Sequence, residues 1–559
     1  MIVTRKADPQ AFADLRQQGL SEFEANIYAA RGIRHKDELN TEFIHLLPFH
    51  TLKNIDAATT LLREIIHAQA KILIVADYDA DGATACAVGV KGLTLLGAKV
   101  DYLIPNRFED GYGLTPEIVE EAAKRQPRLI LTVDNGIASV AGVARAHALN
   151  IDVLITDHHL PGETLPKAII VNPNQPECAF PSKNLAGVGV IFYVLLALRA
   201  KMREAGDFAQ QRVPNLATLL DLVALGTVAD VVKLDSNNRI LVAQGLKRIR
   251  AGQARPGINA LFTVSGRPIE QAGAFDLGFT LGPRINAAGR LQDMSLGVAC
   301  LLTEDMVVAL KLAQQLDQLN RDRRSIETHI QVQAQAILAS LEVHAQHSIS
   351  LFHPEWHQGV IGIIASRIKE KYHRPCFVFA QGKAGEIKGS GRSISGLHLR
   401  DALDLLDKEN PGLLLRFGGH AMAAGVSISE QNFIQFTTLF EQLCKRLLDE
   451  ASLQKSLYID GTPPKLAYTL PQVERLDNQI WGQGFQPPLF IDQFEIVSQR
   501  IVAEKHLKLQ LKSLHGQLLE AMRFQSTELL PPVFSGVFRL QVNTFQQRQM
   551  VQLIFQHVI

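Results

Sequence analysis

Residues 72–82 read ILIVADYDADG: five apolar residues that break into aspartates at alternate positions, Asp77, Asp79 and Asp81, closed by Gly82. An apolar run of this length, rich in β-branched residues, predicts a buried parallel strand, with Asp77 where that strand leaves the sheet. Carboxylates clustered at a strand end call for a cation. Taken alone, the stretch also fits a polar turn that uses Asp and Gly for their turn chemistry. The rest of the chain decides between the two.

Outward from this stretch a βα pattern repeats. A helical pattern over 57–70 leads into the strand, and small and apolar residues over 83–96 suit a helix packed on a sheet. Strands at 99–104, 128–133, 151–156 and 167–171, with helices at 116–124 and 138–149, predict an α/β fold with a doubly wound, mostly parallel sheet. One strand exit runs into Asp134-Asn135-Gly136 and another into Asp157-His158-His159. Ligands of open α/β sheets sit outside the carboxyl ends of the strands, so Asp77, Asp79, Asp134 and His158 are expected to converge there as metal-type ligands. The apolar element 216–227 ends at Asp230. Alone, that residue reads as a cap or a solvated acid; beside three acidic exits it reads as a further ligand.

With 559 residues, 47% of them hydrophobic and 20% charged, the chain is long enough for several domains and has the composition of a globular protein. Lys plus Arg number 57 against 56 for Asp plus Glu, so any phosphate binding must use local patches rather than a global positive field. Five scattered cysteines without a CxxC pair argue against a zinc knuckle or a disulfide framework and fit a reducing cytoplasm. The N-terminus lacks the apolar core of a secretory signal, and the longest apolar stretch, 186–200, is short for a membrane span, so no membrane role is expected.

Residues 1–50 show short helical patterns and are expected to cap the next domain. Segment 185–202 reads as a buried helix whose Gly187 and Gly189 serve close packing; without a preceding strand they do not make a dinucleotide loop. In LGFTLGPRINAAGR, 277–290, Arg284, Asn286 and Arg290 stand among glycines and alanines, a loop where backbone and guanidinium groups could meet phosphates. From Thr303, read as the N-cap, to about Leu341 an apolar stripe free of Pro and Gly predicts one connecting helix of roughly 60 Å. A smaller α/β domain follows, with strands at 348–352 and 375–380, a helix over 363–372 that includes Arg367, and glycine loops at 389–393 and 418–425. Those loops carry Ser390, Arg392, Gly419 and His420. Their small residues let a phosphate approach backbone N–H groups; tight turns and close packing account for them equally. Beyond about residue 455, alternating segments between turn residues predict a small all-β barrel. Its Lys505, Arg523 and Arg548 either line a nucleic-acid groove or solvate a strand face.

Together and in this order, DYDADG (77–82), DNG (134–136), DHH (157–159), GTVAD (226–230), GPRINAAGR (282–290), GVIGIIASR (359–367), GSGRS (389–393) and GGHAMAAG (418–425) resemble the DHH phosphoesterase family, and within it the members that degrade single-stranded DNA. The likeness runs from about residue 50 to about 555, over the last hundred by layout more than by motif. Beyond the N-terminal cap segment (1–50), it implies a DHH domain (51–302), a linking helix (303–345), a DHH-associated substrate-binding domain (346–450) and an OB-like nucleic-acid-binding domain (451–559). Carried over by position, it makes Asp77, Asp79, Asp134, His158 and Asp230 the ligands of two Mn²⁺ or Mg²⁺ ions, bridged by Asp77 or Asp134, and puts His159 beside the scissile phosphate. Arg284, Asn286, Arg290, Arg367, Ser390, Arg392, Gly419 and His420 fall to substrate binding. Arg107, Phe108 and Tyr112, after the second strand, either grip the entering strand or pack on their own domain. Two positions depart from the pattern: Val75 stands where many relatives have a His, which implies altered coordination at one metal, and Trp481 to Phe485 replace a glycine-rich turn containing Asn.

Carboxylates and an imidazole suit Mn²⁺ or Mg²⁺, and two such ions suit in-line phosphodiester hydrolysis. The resemblance implies a monomeric cytoplasmic 5′-to-3′ exonuclease of single-stranded DNA in recombination and repair, with a helicase and a single-strand-binding protein as partners and the strand held in a narrow cleft. Two rivals are a hydrolase of short oligonucleotides or cyclic dinucleotides, whose chains tend to lack the barrel, and a non-catalytic DNA-binding scaffold, which has no use for the acidic and histidine set.

Overall fold

The computed structural model describes residues 1–107, 111–339, 342–383, 385–545 and 548–559. Phe108 and Leu341 lie outside the described residues. The chain divides into two compact units. One comprises Ile2–Gly289, Asp293–Asp317 and Tyr458–Ile559; the other comprises Met1, Arg290–Gln292 and Gln318–Leu457.

In the first unit the opening stretch forms β1 (Lys71–Ala76), apolar and buried because helices cover both faces of its sheet. With β2 (Lys99–Leu103), β3 (Leu129–Val133), β4 (Asp152–Thr156) and β5 (Ile169–Val171) it makes an all-parallel sheet of order β2-β1-β3-β4-β5. The order reverses between β1 and β3, which opens a crevice at their carboxyl ends. One face packs Leu73 and Val75 on the helices Pro116–Ala123 and Val140–Ala148. The opposite face carries α1 (Ala80–Leu95), α2 (Gly187–Glu204) and α3 (Leu220–Ala229). Val75 is fully buried in the apolar face and supplies no donor side chain.

The GPRINAAGR stretch is a helix, α4 (Gly282–Leu291), entered through a π-helical turn at Leu277–Leu281, and not the expected loop. The long helix α5 (Met306–Ala339) has 34 residues, about 51 Å. Asp305 caps it, its Oδ1 accepting from the N–H groups of Val307 and Val308 at 2.7 and 3.2 Å; Thr303 accepts only from Asp305.

The C-terminal strands β11 (Phe490–Val502), β12 (His506–Ser513), β13 (Leu518–Arg523), β14 (Val533–Phe545) and β15 (Arg548–Val558) close a barrel in the order β11-β12-β13-β15-β14 around Phe494, Phe538 and Phe555. The N-terminal segment binds the region of this barrel as well as the helix Ser236–Arg250: Phe23 stacks on Phe490, Arg31 pairs with the buried Asp460 at 2.7 Å, and Arg239 donates to the Glu38 carbonyl. The Trp481 to Phe485 turn is part of that contact, with Trp481 stacked on Tyr28 and the Gln483 carbonyl accepting from Leu234.

In the second unit β6 (Ile349–Phe352), β7 (Cys376–Gln381), β8 (Glu386–Arg392), β9 (Arg416–Gly419) and β10 (Ala423–Ser429) form a mixed sheet of order β9-β10-β8-β7-β6. GSGR, 389–392, is strand, not loop. Gly389 and Gly391 oppose Phe379 and Phe377, whose rings cover them so closely that a Cβ would stand 2.5 and 2.4 Å from ring carbons. GGHAMAAG is the β9–β10 hairpin. Among the described residues, no helix is long and apolar enough to cross a membrane.

Candidate metal centre

Each strand exit stays hydrogen-bonded one step past the sheet: Asp77 N–H donates to the Val133 carbonyl, Asp134 N–H to Thr156 and Asp157 N–H to Val171. This fixes three aspartates side by side at the reversal of strand order. Asp134 sits at φ 63°, in the left-handed region that Asp and Asn enter more readily than other non-glycine residues. Asn135 holds that turn by donating to the Val75 and Val133 carbonyls.

Donor atoms gather in three overlapping groups, each within 4.8 Å: Asp77, Asp79 and Asp134; Asp134, His158 and His159; and Asp81, His158 and Asp230. His158 Nε2 lies 3.1 Å from Asp134 Oδ1 and 3.5 Å from Asp230 Oδ2. Asp230 comes from the C-terminal end of α3, as expected of an acid following an apolar element. All five proposed ligands therefore meet at one place. Asp81 joins them, which the sequence did not reveal: its carboxylate, fully buried, does not serve its own turn but accepts from the N–H groups of Gly187 and Val188 at the start of α2, at 2.6 and 2.9 Å. The turn is capped by Asp79, which accepts from Asp81 and Gly82.

Burial and then mutual repulsion raise Asp77 to about 8, and burial with Asp79 raises Asp230 to about 7. Asp81 and Asp134 are pushed well above the usual carboxylate range for the same reasons. Asp134 Oδ1 is buried beside His158 Nε2. Buried, mutually repelling carboxylates with an imidazole among them are what a hard divalent cation neutralises, so these residues fit Mn²⁺ or Mg²⁺.

His159 is set apart electrostatically. Burial pulls its pKa down, but a 2.8 Å hydrogen bond from Nδ1 to Asp157 and the surrounding carboxylates raise it to about 9. Asp157, expected only as the start of a motif, is a hub: Oδ1 also accepts from the N–H groups of His158 and His159, and Oδ2 from Ile137 in the neighbouring turn. Asn174 and Asn172 hold the carbonyls of His158 and His159. Tyr112 O–H lies 3.2 Å from His159 Nε2, and the Arg107 guanidinium lies over the Tyr78 ring at 4.7 Å, so these two border the centre.

The other candidates fall elsewhere. Arg284 is buried, donating to Asp317 at 2.9 Å and to the Thr280 carbonyl, so its guanidinium is built into the fold rather than into a phosphate loop. Asn286 accepts from Ala80 N–H. In the second unit Arg290 donates to the Gly359 carbonyl, and Arg367 pairs with Glu327. Arg392 donates to Ser366 and Ser390, approached so closely by Gly362 that a Cβ there would stand 2.8 Å from Ser390 Oγ. Gly419 ends β9 and His420 opens the exposed hairpin turn, with His420 N–H on the Ala423 carbonyl.

A parallel sheet bearing these acids and a DHH turn at its carboxyl edge defines a phosphoesterase of the DHH class, and residues 71–227 match the DHH family, N-terminal domain, 335–446 the DHHA1 domain and 459–557 the RecJ OB domain. The chain is 51% identical over 546 residues to the single-stranded-DNA-specific exonuclease RecJ of Dickeya dadantii, covering 95% of each. The crystal structure of RecJ from Thermus thermophilus in complex with Mn²⁺ superposes with a TM-score of 0.83 at 31% identity, over 100% of this chain and 79% of that one. Its counterpart in complex with Mg²⁺ gives 0.77 at 29% identity, over 100% and 77%. The chain belongs to the RecJ family of single-stranded-DNA-specific exonucleases.

Proposed function

We propose that this protein is a metal-dependent 5′-to-3′ exonuclease that hydrolyses phosphodiester bonds of single-stranded DNA in recombination and repair. The convergence of Asp77, Asp79, Asp81, Asp134, His158 and Asp230 at the sheet edge carries this reading. These residues would hold two ions, with Asp134 and His158 common to neighbouring donor groups. Bound there, divalent ions supply an activated water and charge for the leaving oxygen. His159, whose pKa the hydrogen bond to Asp157 and the neighbouring carboxylates raise, gives one N–H to Asp157 and would offer the other ring nitrogen to the phosphate as negative charge builds. Asp157 fixes that orientation. Arg392 and Ser390, with the hairpin of Gly419 and His420, receive the terminal phosphate, while Arg107 and Tyr112 grip the strand. The barrel binds DNA beyond the reacting end. A cytoplasmic monomer working beside a helicase and a single-strand-binding protein completes the reading.

The test is hydrolysis in Mn²⁺ of single-stranded DNA, the same sequence as a blunt duplex, and a cyclic dinucleotide. Loss of the single strand alone is expected; equal attack on the duplex, or preference for the cyclic dinucleotide, contradicts the proposal.

A further inference from the structure

The acidic loop has two sides. Its odd-numbered residues, Asp77, Asp79 and Asp81, send carboxylates to the metal centre. Its even-numbered residues present backbone to α4. Asn286 Oδ1 accepts from Ala80 N–H at 2.8 Å. Three residues further along the same helix face, Gly289 lies so close to the loop that a Cβ there would stand 2.0 Å from the Tyr78 carbonyl oxygen. Ala80 is buried, so without Asn286 its N–H has no acceptor from this helix and no ready access to water. Asp77 and Asp81, at the two ends of the loop, are tied to the Val133 carbonyl and to the N–H groups of Gly187 and Val188, whereas the ties between them are local: Asp77 accepts from Tyr78, and Asp79 from Asp81 and Gly82.

We propose that Asn286 and Gly289 form a clamp on the backbone of the acidic loop, so that Asn286 is a positioning residue of the metal centre and not a contact to DNA. The alternation explains why a helix with no ligand of its own lies against the loop. A side chain at Gly289 pushes Tyr78 away, and loss of the Asn286 carbonyl releases Ala80; either change lets Asp77, Asp79 and Asp81 drift from the geometry that the cation needs. The inference rests on the proposal that these carboxylates bind the metal.

Mn²⁺ titration followed by electron paramagnetic resonance, on the full chain, tests both and separates them. Wild type that binds no Mn²⁺ refutes the metal-site reading itself. Given wild-type binding, Asn286→Ala is expected to weaken Mn²⁺ affinity by about 5- to 150-fold, the cost of stranding a buried N–H. Asn286→Asp, which keeps the acceptor, restores most of it. Gly289→Ala, an independent route to the same loop, weakens it too. Affinity of metal-free protein for a fluorescent single strand, read by anisotropy, is expected to stay within about twofold of wild type for Asn286→Ala. Unchanged Mn²⁺ affinity in Asn286→Ala, failure of Asn286→Asp to recover it, or a loss confined to DNA affinity overturns the clamp.

Discussion

Gly187→Ala changes one hydrogen of the helix that backs the metal centre, and its cost can be worked from the structure. An added Cβ would lie 2.5 Å from Asp134 Oδ1 and from Asp134 Cβ, whereas ordinary contact begins near 3.4 Å, so the aspartate must retreat by about 0.9 Å. Neither partner can give easily. Gly187 N–H is bonded to Asp81 at 2.6 Å, and Asp134 is held by its own N–H on the Thr156 carbonyl. Overpacking of this kind costs about 1–3 kcal/mol of stability, and displacing a catalytic group by about 1 Å costs on the order of 100-fold in rate. Gly189→Ala is the control: on the same helix its Cβ meets only the Leu185 side chain, whose nearest atom, a terminal methyl, stands 3.1 Å away. Calorimetric Mn²⁺ titration and the rate of single-strand digestion should fall sharply in Gly187→Ala and little in Gly189→Ala. Equal behaviour of the two variants would refute the placement of Asp134 against α2.

His159→Ala should lower turnover by about 100- to 1,000-fold, the usual cost of one transition-state donor, while calorimetry finds Mn²⁺ still bound; loss of the metal would make His159 a ligand instead. Arg392→Ala should abolish the preference for a 5′-phosphorylated over a 5′-hydroxyl strand, measured as a ratio of kcat/KM; an unchanged ratio removes Arg392 from the end-binding role. In EDTA the protein should lose thermal stability as pH rises from about 4 to about 8. Carboxyls raised in the folded state, such as Asp77 to about 8 and Asp230 to about 7, hold protons better folded than unfolded, so their contribution falls as they ionise. His159, raised to about 9, acts in the same direction between its unfolded value near 6.5 and 9. Saturating Mn²⁺ should flatten the profile, and a metal-free melting temperature that rises over this range contradicts the buried repulsion.

The sheet and most of the centre were legible because they depend on local pattern. Apolar runs ending in Asp77, Asp134 and Asp157 state both the strand and its exit, and strand order then brings the exits together. The roles within the acidic loop were not legible. A period of two puts Asp77, Asp79 and Asp81 on one side, and nothing local says that Asp81 bonds the start of a helix 106 residues later while Asp79 caps the turn. Glycine misled in two places for one reason: it marks close approach as often as a turn. Gly289 in α4 admits the Tyr78 carbonyl, and Gly389 and Gly391 in β8 admit two phenylalanine rings, so both stretches read as loops but form regular structure. The bond from Arg284 to Asp317 was not legible either, because that buried partner lies 33 residues away.

The most direct measurement is digestion of one single strand, labelled at its 5′ end in one sample and at its 3′ end in another, in Mn²⁺, by wild type and by Asp134→Ala. Immediate release of short labelled product from the 5′ label, slow shortening of the 3′-labelled strand, and no activity in Asp134→Ala are expected. Early release from the 3′ label, or activity that survives the loss of Asp134, would contradict the proposed function.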